Sequence, residues 1–149
     1  MYKVIVVGTD GSARASVAVR EAVALAKAAG ATLHVVYVVR PTSASTMGTE
    51  YADHNAIAAA KEEMHKQGNE ICALVVADAQ REGVTTQVHN VEGDPGDVLV
   101  KVAGGVDADL LVIGNRGMTG VKRFVLGSVP NKVSHHCPCS LLIVDTDSD

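Results

Sequence analysis

Short apolar runs recur along this chain, each too brief for a helix and too continuous for a strand with one wet face. VIVVG (4–8), LHVVYVV (33–39), LLVIG (110–114) and SLLIV (140–144) are rich in β-branched residues and bounded by turn formers. Strands without a polar face need cover on both sides, as in a parallel sheet held between helical layers. A fifth run, TTQVHNV (85–91), is more polar and alternates, which suits a strand at the sheet edge.

Helical sequence fills the intervals. Residues 13–29 are alanine-rich and stop at Gly30. Over 55–82, the residues Ile57, Ala60, Met64, Ile71, Leu74, Val75 and Asp78 fall at mostly three- and four-residue steps, a single stripe interrupted by Gly68. Asp94-Pro95 reads as an N-cap and first-turn proline for a helix to about Ala103. Ser128, as N-cap with Pro130 in the first turn, opens a last helix toward His136. Four strand–helix units and a closing strand predict a doubly wound α/β fold, one domain over 1–149 with helices on both faces. The polar stretch 40–54 has no period and is expected to be a mobile connection.

Composition narrows the function. The 149 residues carry a net charge of -4, which argues against binding nucleic acid or anionic membrane through bulk charge. No apolar run approaches the ~20 residues of a membrane span. MYKVIVVG reads as a strand, lacking the basic leader of a signal peptide. Three cysteines without a framework spacing point to a reducing cytoplasm. Aromatic residues are 3% of the chain, too few for base-stacking platforms.

Ligands of open α/β sheets bind beyond the carboxyl ends of the strands, where the strand order reverses. Three turns fall at such ends: GTDGS (8–12), the stretch from Val38 to Pro41, and GNRGMTGVKRFVLGS (114–128). The last is neither a Walker loop nor a dinucleotide fingerprint. Its glycines admit close approach of backbone N–H groups to an anion, and Ser128 stands at a helix N-terminus where the dipole favours negative charge. Gly114, Gly117, Gly127 and Ser128 together suit a polyphosphate, with Arg116, Lys122 and Arg123 supplying charge. Asp10 suits ribose hydroxyls, a base amino group or a phosphate-borne metal. Each glycine alone is better explained by loop shape, whereas the set together favours a ligand.

The spacing Gly114, two residues, Gly117, nine residues, Gly127-Ser128 resembles the G-x2-G-x9-G-[ST] signature of the nucleotide-binding universal stress proteins. The resemblance covers the whole chain: VIVVGTDGS, LHVVYVV, EGDP (92–95) and CPCSLLIV all have counterparts. It implies a five-stranded parallel sheet in the order 3-2-1-4-5, a homodimer, and ATP at the ends of strands one, two and four. Asp10 would contact the adenosine part and Val38 the adenine, through its backbone. Gly114, Gly117, Gly127 and Ser128 would hold ribose and phosphates beside Asn115 and Arg116, with Thr9 and Val129 as further contacts. Mg²⁺ or Mn²⁺ would ride on the phosphates. In that order SLLIV is an edge as apolar as a central strand, and pairing with its own copy would protect it.

The remaining motifs read as structural. HHCPC (135–139) offers two imidazoles and two thiols, but adjacent ligands splay apart and no CxxC half-site accompanies them. Cys139 is expected to face a core surface and Cys72 to be a small core residue. His34 is expected to be packed or edge-facing, and His54 and His65 to lie on the surface. Hydrolysis needs a positioned water and stabilised transition-state charge. Only Asp10 stands near the expected site, unless Glu50 or Asp53 approaches on the 40–54 stretch. An ATP-binding stress-response regulator with an unknown protein partner is therefore preferred. A slow ATP hydrolase and a non-nucleotide interaction module are the alternatives.

Overall fold

The computed structural model describes residues 1–41, 54–115 and 126–146. Its elements run β1 (Val4–Gly8), α1 (Ala13–Ala29), β2 (Thr32–Val39), α2 (His54–Arg81), β3 (Thr86–Glu92), α3 (Pro95–Gly105), β4 (Leu110–Gly114), α4 (Ser128–His136) and β5 (Ser140–Val144). The strands form one parallel sheet in the order β3-β2-β1-β4-β5. The doubly wound class read from the sequence, and the order 3-2-1-4-5 that the resemblance implies, are those observed.

Alternation along the strands sorts the core into two layers. Ile5, Val7, Leu33, Val35, Leu110 and Val112 face α1 and α2, meeting Ala18, Ala22, Cys72 and Ala79. Val6, Val36, Leu111 and Ile113 face α3 and α4, meeting Val98, Leu99 and Val133. Each fully buried aliphatic side chain contributes about 1.5–3 kcal/mol. Central strands buried on both faces therefore have no room for polar alternation, whereas β3 at the edge keeps Gln87, Val88 and Glu92 exposed.

The long helix differs from its expected stripe. It is continuous from His54 to Arg81, and its buried line is Gly68, Cys72, Val75 and Ala79. Leu74 is 71% exposed, and Asp78 also faces outward. Gly68 is the point of closest approach rather than a break: a Cβ there would stand 2.3 Å from the Tyr37 ring. Small residues on that line let α2 lie close against β2 and β3. His65, expected on the surface, is half-buried, with Nδ1 2.8 Å from the Asn90 Oδ1.

Candidate functional site

The helices following β1 and β4 cover opposite faces of the sheet, so a crevice opens between the carboxyl ends of these neighbouring strands. On the β1 side, the Thr9 N–H donates to the Val36 carbonyl at 3.0 Å. The Thr9 hydroxyl accepts from the Gly11 N–H at 3.2 Å, and Asp10 Oδ1 accepts from the Ser12 N–H at 2.9 Å. Gly11 has φ +80°, a conformation that favours glycine. Asp10 is thus held in a fixed turn at the crevice mouth.

The β2 register settles how Val38 is presented. Gly8 pairs with Val36, and Val36 turns its carbonyl toward β1. Backbone groups alternate sides along a parallel strand, so Val38 directs its N–H and C=O the same way, two residues beyond the last β1 pair. Its side chain packs against the α3–α4 layer.

On the β4 side, Gly114 pairs with Val144 and the Asn115 N–H donates to the Val144 carbonyl at 2.9 Å. The Gly127 N–H then donates to the Asn115 carbonyl at 3.1 Å, drawing the start of α4 back to the end of β4. The Asn115 side chain turns toward the chain beyond β5. Its Oδ1 accepts from the Thr146 N–H at 3.1 Å and from the Thr146 hydroxyl at 2.8 Å. Asn115 therefore joins three elements through backbone and side chain together.

Ser128 is the first helical residue of α4; the N-cap is Gly127, not Ser128 as the sequence led one to expect. With φ -62° and ψ 168°, Gly127 adopts a conformation open to any residue. What glycine contributes is the absence of a side chain at the helix mouth. Ser128 is exposed there, Val129 is half-buried, and the buried Pro130 anchors the turn. Arg116 and Gly117, with Gly120, Lys122 and Arg123, lie outside the described residues, as do Glu50 and Asp53.

Charge near this end is organised by Lys132, whose Nζ lies 3.1 Å from Asp94 Oδ2 and 3.0 Å from Asp97 Oδ1. Hydrogen bonds to Asp97 and Asp94 raise the Lys132 ammonium above its ordinary range. The Asp97 backbone N–H, and then Lys132, hold the Asp94 carboxyl below its own. The pair of contacts fastens the start of α3 to α4. Burial, followed by the nearby Asp10 charge, pushes the Tyr37 phenol up.

Two features escaped the sequence. His34 and His89 stack on one sheet face with Nδ1 and Nε2 2.9 Å apart. The pairing of Val36 with His89 brings them together across 55 residues, and no local signal marks it. The Asn115–Thr146 bond is equally nonlocal.

A 3-2-1-4-5 parallel sheet with helices on both faces defines a doubly wound α/β domain. Residues 1–145 match the Universal stress protein family, and the chain belongs to it. Universal stress protein YxiE of Bacillus subtilis is 33% identical over 147 residues, covering 97% of this chain and 99% of that protein. Among solved structures, a universal stress protein in complex with cAMP is 34% identical, with a TM-score of 0.74 over 97% of this chain and 98% of that one. The Archaeoglobus fulgidus universal stress protein in complex with dAMP is 27% identical, with a TM-score of 0.64 over 95% of this chain and 97% of that one.

Proposed function

We propose that this universal stress protein is an ATP-binding regulator of the stress response, with its site at the carboxyl ends of β1, β2 and β4. The observation that carries the reading is the mouth of α4, drawn against the end of β4 by the Gly127–Asn115 bond and lacking a capping side chain. Its first N–H groups suit phosphate oxygens, the usual use of such a mouth. Val38 offers backbone groups to the adenine edge, and Asp10 meets the adenosine part. Gly114, Gly117, Gly127 and Ser128 hold ribose and phosphates, with Thr9, Asn115, Arg116 and Val129 flanking. The cAMP and dAMP complexes of related proteins support an adenine nucleotide here. Mg²⁺ or Mn²⁺ rides on the phosphates; among the described residues no group of three or more His, Cys, Asp or Glu converges to hold a metal.

Cyclic AMP is the second reading, favoured by the cAMP complex of a 34% identical protein. Mass spectrometry of small molecules released from the purified protein distinguishes the two. ATP among them supports the first reading, and cyclic AMP alone supports the second. Loss of bound nucleotide in Gly117→Ala or Gly127→Ala ties it to the loop, whereas partner capture undiminished in such a variant favours an interaction module. Turnover is slow or absent in this reading; multiple turnover abolished by Asp10→Asn argues for a hydrolase instead.

The protein acts as a homodimer paired through β5, in the cytoplasm, on an unknown protein partner and not on nucleic acid or membrane. Among the described residues no helix is long and apolar enough to cross a membrane. Leu141–Val144 are only half-buried on an edge strand, and pairing with a second copy removes that exposure. Light scattering at micromolar concentration should give twice the chain mass; a monomer contradicts the pairing.

A further inference from the structure

The α4–β5 junction lies at the other end of the sheet from the α4 mouth, where Leu110 pairs with Ser140. The chain there reads Cys137-Pro138-Cys139. Proline fixes its own φ and keeps the preceding residue out of the helical region. Cys137 accordingly sits at φ -63° and ψ 126°, ending α4 in an extended conformation. Beyond it the chain bends at Pro138 and Cys139 before β5 begins, which turns the two cysteine side chains toward each other. The two thiols therefore stand together, Sγ to Sγ 3.8 Å, packed on the α3–α4 layer and partly exposed. Cys72, the third cysteine, is 1% exposed in the opposite layer.

We infer that Cys137-Pro138-Cys139 is an oxidisable dithiol that closes to an intramolecular disulfide by exchange with a low-molecular-weight disulfide. The two sulfurs are already in contact at 3.8 Å, and Pro138 limits the freedom of the backbone between them. No third metal ligand joins them, since no group of three or more His, Cys, Asp or Glu forms among the described residues.

The chemistry has two steps. The Cys137 thiolate attacks one sulfur of the external disulfide, forming a mixed disulfide and expelling one thiolate. The Cys139 sulfur, losing its proton to solvent, then attacks Cys137 Sγ and expels the second thiolate. The dithiol loses two electrons and two protons, and the external disulfide is reduced to two thiols. Burial, and then the hydrogen bond with Cys137, pushes the Cys139 thiol up to about 12, while the Leu111 backbone N–H pulls the other way. This supports the order of the steps, because the raised Cys139 thiol has a smaller thiolate population with which to attack first. Burial likewise pushes Cys72 up to about 11, and its enclosure keeps it from the reagent.

The test incubates the folded full-length protein with oxidised glutathione, alkylates the remaining thiols under denaturing conditions, and maps the peptides by mass. The expected peptide carrying Cys137 and Cys139 is two hydrogens lighter and takes no alkyl group, while Cys72 is alkylated. Cys139→Ser should stop at a glutathione adduct on Cys137. A stable adduct on either wild-type cysteine overturns the proposal. So does the absence of reaction in folded protein when the unfolded chain reacts. The wild-type map decides even where Cys139→Ser does not fold.

Discussion

Four helices begin at the carboxyl end of this sheet, and the described mouths of α1, α3 and α4 are built in two ways. At α1, Ser12 caps its own helix, its hydroxyl accepting from the Ala15 N–H at 3.0 Å. At α3, Asp94 accepts from the Asp97 N–H at 3.1 Å, and Pro95 occupies the first turn. At α4 the cap is Gly127, which brings no side chain, and the mouth is held by a backbone bond to Asn115 instead. A helix whose cap residue supplies an acceptor has spent one of its orphan N–H groups internally. At α4 the corresponding position is Pro130, which carries no N–H, and Gly127 places no side chain over the N–H groups of Ser128 and Val129. Capping chemistry thus separates α1 and α3, closed by their own side chains, from α4, the mouth where the proposed nucleotide is placed.

Changing charge at α4 should have the largest effect. Ser128→Asp places a carboxylate where the phosphates would sit, and MgATP affinity should fall about a hundredfold, as expected from losing and reversing charge-assisted contacts. The melting temperature should hold or rise, because an acid favours a helix N-terminus. Unchanged affinity would place the anion elsewhere.

Removing the caps of the other two helices should do the opposite. Ser12→Ala and Asp94→Ala should each cost about 1 kcal/mol, a melting-point drop of a few degrees. Nucleotide titrations should show both variants binding within about twofold of wild type. A large affinity loss with either would erase the distinction between the mouths.

The smallest expected effect is the pH dependence of the α3 cap. The folded Asp94 carboxyl lies below its ordinary value, held there first by the Asp97 N–H and then by Lys132. Its contribution is therefore present above the unfolded carboxylate value of about 3.9 and is lost as pH falls through the folded one. Asp94→Asn keeps an acceptor but does not titrate. Its thermal stability should fall less steeply than wild type below pH 4, while Ser12→Ala should leave the slope unchanged.

These helix starts also mark what could be read from the amino acids. Asp94-Pro95 announces its helix because cap and proline are local signals, and the apolar runs announce strands buried on both faces. Gly127-Ser128 announces a helix mouth but not which residue caps it; a serine is the stronger cap, yet here it lies one position inside. Val38 is the instructive case for the site. Its presentation depends on where β1 ends relative to β2, a register that only the folded sheet supplies. Gly68 read as a helix interruption because its partner, Tyr37, lies on another element. The His34–His89 pair and the Asn115–Thr146 tether were illegible for the same reason, since each joins residues distant in the chain.

Isothermal titration of MgATP, and separately of cyclic AMP, into the purified wild-type protein stripped of bound small molecules tests the central claim most directly. The α4 mouth and the β1–β4 crevice predict saturable binding of MgATP at one site per chain, lost in Ser128→Asp and kept in Ser12→Ala. Heats no larger than dilution for both nucleotides would contradict it.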